Sequence, residues 1–197
     1  MIFTLRYFCL FLLISSSLFS LTIEEKVGQL LIVHFHGEKV NEASKSLLEQ
    51  AHSGGFIYYD WANGLTSPEQ VRTLSAGLQK SNPSSLPLFI AVDQEGGRVS
   101  RFKKGFPAFP SQSNTKDGVP AQEIATLLKE VGINLNFAPV VDVNSNPQNP
   151  IIGDRSYSHD PEEVVRLGRL ALKAYHAQGI LTTLKHFPGH GDTESDS

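Results

Sequence analysis

The sequence predicts an α/β fold, a (β/α)8 TIM barrel of which the chain supplies about the first five βα units. Three observations carry this. Apolar runs of strand length alternate with amphipathic helical stretches from Leu30 to Leu184. The run Leu88-Phe89-Ile90-Ala91-Val92 is unbroken, as in a strand buried on both faces of a parallel sheet. Polar residues follow the predicted strand ends: Asp60 after the second, Asp93 after the third, Asp142 after the fourth and Lys185-His186 after the fifth. In a barrel those ends converge on one face, where such folds carry their sites. An open doubly wound sheet shares the alternation, but no G-x-G-x-x-G follows the first strand. A whole barrel takes about 250 residues, and this chain has 197.

The elements read in order as follows. Thr22 and Glu25 form a capping box that opens a short helix. Leu30 to Val33 leads into the first strand, which ends near His36-Gly37. Asn41 to His52 reads as a helix with Leu47 and Leu48 inward, and Gly54-Gly55 breaks it before the strand Phe56 to Tyr59. Ser67-Pro68-Glu69-Gln70 starts a helix whose apolar stripe is Val71, Leu74 and Leu78. After the Leu88–Val92 strand, Pro120 to Val131 is helical until Gly132. Leu135 to Val143 is the fourth strand. Asp160 caps a helix that runs to Gln178 and stops at Gly179, and Ile180 to Leu184 is the fifth strand.

Composition narrows the function. Lys and Arg total 17 against 20 Asp and Glu, for a net charge of −3, which excludes a basic nucleic-acid binder. One Cys and one Met argue against a disulfide scaffold or a thiolate metal site. That cysteine, Cys9, sits in the N-terminal run MIFTLRYFCLFLLISSSLFS. Its apolar core is shorter than the ~20 residues of a membrane span. Residues 1–20 therefore read as a secretory signal, or uncleaved as a membrane anchor, and residues 21–197 as an incomplete barrel domain. The expected location is outside the cytoplasm.

Three stretches carry chemistry. In VDQEGGRVSRF, Asp93 leaves a buried strand, where a carboxylate is unfavourable unless it is bound by something. It reads either as a contact to a ligand or as half of an Asp–Arg pair that ties the loop, with Arg98 and Arg101 the candidate partners. IIGDRSYS, taken alone, reads as a surface turn. KHFPGHGD places Lys185 and His186 at a strand end. Its Pro and Gly residues prevent the helix that lets a His-x3-His pair share a metal, so no metal site is expected. A short rigid loop with Lys and His suits a polyol ligand.

DQEGGRVSRF, GDRSYS and KHFPGHGDTESDS, in that order and with the opening IEEKVGQLL, resemble glycoside hydrolase family 3, and more narrowly its β-N-acetylglucosaminidase branch. The likeness runs from about Thr22 to the last residue. It implies a (β/α)8 barrel, no cofactor, and cleavage of terminal β-linked N-acetylglucosamine with retention, through a covalent glycosyl-enzyme. The implied partner is a glycan containing that sugar, from cell-wall material or muropeptides, with no nucleic acid and no obligate protein partner. By the resemblance Asp93 binds hydroxyls of the terminal sugar, and Arg101, Arg155, Lys185 and His186 complete the pocket. Asp196 matches the Asp of the family's Asp-Ser-His segment. That Asp orients and charges the His two residues on, which protonates the leaving group and then activates water. An imidazole serves both steps near neutral pH, and as a neutral base it does not repel an anionic nucleophile.

In the family pattern that His would follow Ser197, and the aspartate nucleophile comes after later strands. The resemblance gives neither His190 nor His159 the acid/base role. The 197 residues alone are therefore expected to be inactive, because no covalent intermediate forms without a nucleophile. The purified chain should release no nitrophenol from a nitrophenyl β-N-acetylglucosaminide. Release that disappears when Lys185 is substituted would overturn this expectation.

Overall fold

Side-chain caps set most of the helix starts. The computed structural model describes residues 21–196, so the segment read as an export signal lies outside the described residues. In α1 (Ile23–Gly28) the Thr22 hydroxyl accepts from Glu25 N and the Glu25 carboxylate accepts from Thr22 N, as the capping box predicts. The first strand, β1, is Ile32–Val33. Asn41 and Ser44 form a second reciprocal cap on α2 (Glu42–Glu49), which ends three residues earlier than expected. The strand β2 covers Gly55–Tyr58, and a helix of four residues absent from the sequence reading, α3 (Asp60–Asn63), follows it directly.

Ser67 caps α4 (Pro68–Ser81), with proline in the first turn where its missing N–H is not needed. The strand β3 is Phe89–Val92. Next come α5 (Val119–Glu130), β4 (Leu135–Asn136), α6 (Pro161–Ala177) opened by Asp160, and β5 (Leu181–Thr182). Single 3-10 turns cover Gln112–Asn114 and Gly153–Arg155.

The five strands form one parallel sheet in the order β1-β2-β3-β4-β5. This sequential order separates the two architectures that share the alternation. A doubly wound sheet reverses direction at a switch point, whereas a barrel adds each strand beside the last. Ile90, Ala91 and Val92 of β3 are fully buried, as the unbroken apolar run predicts, whereas Phe89 at the start of the strand is exposed. The expected stripe of α4, Val71, Leu74 and Leu78, packs into the same core as Tyr58 of β2 and Ile124 and Leu128 of α5. Tyr58 keeps its buried hydroxyl satisfied on Ser75 Oγ at 3.2 Å.

The fourth strand is shorter than the sequence reading. Its ladder stops at Asn136 instead of reaching Val143. Pro139 has no N–H to give to a neighbour, and pairing resumes beyond it as a single bridge between Val140 and Lys185. That bridge, with Val141 N donating to Lys185 O at 2.8 Å, brings Lys185 beside the segment that follows β4. Among the described residues no helix is long and apolar enough to cross a membrane.

Candidate functional site

Because the strands are parallel, the loops that follow β3, β4 and β5 emerge on the same face. The loop after β3 is clamped from inside. Gln94 is buried, and its side-chain oxygen accepts from Arg101 N and Phe102 N at 2.9 and 3.3 Å. Its own backbone exchanges two hydrogen bonds with the Asn136 side chain of β4. The chain then turns so tightly that a Cβ on Gly96 would lie 2.2 Å from Pro110 O, and Gly96 has φ +96°. No other residue fits there. The outcome is that Asp93 and Glu95 both reach one cation. Lys185 Nζ lies 2.9 Å from Asp93 Oδ1 and 2.6 Å from Glu95 Oε1.

The 3-10 turn delivers a second cation to the same acid. Asn149 Oδ1 accepts from Ile151 N and Ile152 N, which shapes the approach to the turn. Arg98 holds the turn from outside, donating to the Ile151 and Ile152 carbonyls and pairing with Asp154 at 3.1 Å. Arg155 points inward and forms a two-pronged bond with Glu95, each prong 2.9 Å. Burial works against its charge, but the hydrogen bonds and charge of Glu95 outweigh that and raise its pKa. The reading of this stretch as a surface turn is thus corrected: Asp154 is on the surface, and Arg155 is half-buried in the site.

The loop after β5 closes the cluster. Asp142 has a fully buried side chain and accepts from His186 Nδ1 at 2.6 Å, from His186 N and from His190 N. Arg155 Nη2 lies 3.2 Å from His186 Nε2. An arginine only donates, so Nε2 is the acceptor and the ring proton sits on Nδ1, facing Asp142. Burial would push the Asp142 carboxyl up, but the His186 ring and the two backbone N–H groups outweigh it and hold the pKa below its ordinary value. The loop packs closely against the segment that follows β4: a Cβ on Gly191 would clash with the Val143 carbonyl.

Asp93, Arg101, Arg155, Lys185 and His186, all expected at one site, are therefore brought together, with Glu95 bridging the Asp93–Arg101–Lys185 contacts to the Arg155–His186 contact. Arg101 Nη2 reaches Asp93 Oδ2 at 3.4 Å, the ion pair that the sequence left as one of two readings. Asp196 is 73% exposed, with Oδ1 3.8 Å from His190 Nε2, beyond hydrogen-bond range.

Comparison with known proteins places this geometry in a family. The profile of the Glycosyl hydrolase family 3 N terminal domain matches residues 22–197. The chain belongs to glycosyl hydrolase family 3. The β-hexosaminidase A of Pseudoalteromonas piscicida is 43% identical over 165 residues, covering 77% of this chain and 27% of the relative. The β-hexosaminidase of Pseudomonas aeruginosa is 35% identical over 175 residues, covering 85% of this chain and 51% of the relative. Among solved structures, the family 3 β-N-acetylglucosaminidase of Paenibacillus sp. str. FPU-7 superposes with a TM-score of 0.84 at 43% identity, over 90% of this chain and 35% of that one. NagZ from Neisseria gonorrhoeae superposes at 0.77 and 33% identity, over 85% of this chain and 51% of that one. The chain spans about a quarter to a half of the length of these relatives.

Two residues of this family 3 cluster were not assigned to the site from sequence. Glu95 joins Lys185 to Arg155, yet in DQEGG it reads only as one more loop acid. Asp142 was visible as a strand-end carboxylate, but its role of bracing His186 appears only once the loop folds back over β4.

Asp142 yields a pH prediction. Its folded pKa is depressed, so its contribution to stability is fully present above the unfolded value near 3.8 and is lost as pH falls through the folded value. Acidification below about pH 4 should therefore destabilise the unsubstituted protein more steeply than Asp142→Asn, as read by denaturant midpoints at pH 6, 4 and 3. Parallel slopes in the two proteins would contradict the assignment.

Proposed function

We propose that the complete protein hydrolyses terminal β-linked N-acetylglucosamine with retention, and that residues 93–186 supply the pocket for that terminal sugar. The observation that supports this best is the linkage of Asp93, Lys185, Arg155 and His186 into one prebuilt cluster at the C-terminal ends of β3 to β5. Three carboxylates, Asp93, Glu95 and Asp142, face three cations, Arg101, Arg155 and Lys185. A cluster balanced in charge suits a neutral ligand rich in hydroxyls. Asp93 accepts from hydroxyls, while the lysine and arginine groups donate to ring and acetamido oxygens. The fixed partners hold these groups in place before the sugar arrives, which lowers the entropy lost on binding.

In this reading Asp196 orients an acid/base histidine, and an aspartate from a later strand is the nucleophile, so that a histidine replaces one of the two carboxylates that retaining enzymes commonly use. Residues 1–20 carry the protein out of the cytoplasm or anchor it at a membrane, so the substrate is wall glycan or muropeptide outside the cell. Recovery of the protein only from cytosol on fractionation would sink that placement.

Asp93→Asn in the full-length protein tests the sugar pocket. Loss of one charge-assisted contact is worth about 1.5–3 kcal/mol, so kcat/KM on a nitrophenyl β-N-acetylglucosaminide should fall roughly ten- to hundredfold. Unchanged kcat/KM would remove Asp93 from the pocket. An unsubstituted full-length protein with no activity would favour a sugar-binding remnant over an enzyme.

A further inference from the structure

Beside the cluster lies a partly exposed group of rings that the site does not use. His34 and His36 follow β1, and Tyr59 and Trp61 follow β2. The Tyr59 and Trp61 rings are stacked, 5.2 Å apart and 21° from parallel. His34 stands edge-on to both, at 5.9 and 5.3 Å, and also meets His36. Trp61 is 61% exposed. Single exposed hydrophobic residues need no explanation, but a contiguous patch of rings does.

The patch is held in place rather than draped on the surface. Asn63, fully buried beneath it, accepts from Tyr59 N at 3.1 Å and donates to the Phe35 and Gly37 carbonyls at 3.1 and 3.2 Å. One side chain thereby ties α3, which carries Trp61, to the segment after β1 that carries both histidines. The patch is also continuous with the cluster. Arg101 lies with its guanidinium carbon 5.4 Å above the Tyr59 ring while its Nη2 reaches Asp93. Next to Trp61 a groove of about 300 Å³ runs past Arg101 and Lys103, at the low end of the range for small-ligand clefts. Its rim is polar: Lys103 pairs with Asp60 at 3.0 Å.

Aromatic faces bordered by polar groups fit a ligand that is apolar on its ring faces and hydroxylated at its edge. We infer that the exposed face of Trp61, propped by the stacked Tyr59 ring and the edge of His34, is a stacking platform for a second pyranose ring of the glycan, adjoining the ring held at Asp93. This rests on the proposed sugar pocket and assigns the place where the next ring of the glycan would lie. Arg101 is then the group shared by the two subsites.

The test is calorimetric binding to the full-length protein, using N-acetylglucosamine and its thio-linked β-1,4 dimer, which resists hydrolysis. Burial of one sugar face on Trp61 should make the dimer bind about tenfold more tightly than the monosaccharide. Trp61→Ala should abolish that advantage and leave the monosaccharide Kd unchanged, which also shows that the variant is folded. Trp61→Phe should keep part of the advantage. If the dimer's advantage survives Trp61→Ala, or is absent from the unsubstituted protein, the platform is overturned and the single-sugar pocket stands. If the unsubstituted protein binds neither sugar, the pocket itself falls and the platform with it.

Discussion

Glu95 has a side chain that is 1% exposed, and a charge in that position cannot be left unpaired. It takes the guanidinium of Arg155 in a two-pronged bond and the ammonium of Lys185 at 2.6 Å. Those partners come from the 3-10 turn after β4 and from the end of β5, which lie 60 and 90 residues further along the chain than Glu95. Satisfying one carboxylate therefore fixes three loops relative to one another. Removing either partner would leave a buried charge that the other alone balances poorly, so the arrangement is cooperative in the sense that buried ionic networks are.

The parallel sheet is what makes such a convergence possible. Consecutive strands add side by side, so every strand end emerges on one face, and each loop needs only to reach its neighbour. The side chains between the loops complete the frame. Gln94 and Asn136 lock β3 to β4, Asn149 spans from the turn to His190 O, and Asp142 collects three N–H groups from the loop after β5. These polar residues are buried and hydrogen-bonded, and they define positions that an apolar core would leave free to slide.

The features legible in the sequence were those with local causes. Thr22, Asn41, Ser67 and Asp160 start helices because each side chain bonds a backbone N–H two or three residues away. The buried run of β3 announced its two covered faces. What stayed hidden depends on distant partners. The stretch Leu135 to Val143 reads as one strand because it is mostly apolar, yet Pro139, which cannot donate to a ladder, lies in its middle and the ladder ends before it. Helix α3 is too short to show a period, and Glu95 and Arg155 have nothing in their own neighbourhoods to mark them as a pair. The surface-turn reading of GDRSYS failed for that reason: of two adjacent charged residues, one faces Arg98 at the surface and the other a carboxylate 60 residues back.

The choice between an internal ion pair and a ligand contact at Asp93 dissolves when the cluster is ordered by depth. Glu95 and Asp142 lie at the bottom, shielded from water, with every contact made by protein. Asp93, Arg101 and His186 form the rim, with side chains 20, 27 and 33% exposed. The Asp93–Arg101 contact there is long, 3.4 Å, and a partly solvated pair of that kind contributes little to stability. On the proposed function, the contact serves to hold both groups where a hydroxylated ligand can reach them. The deep acids fix the geometry, and Lys185, shared between Glu95 below and Asp93 above, ties the rim to that fixed layer.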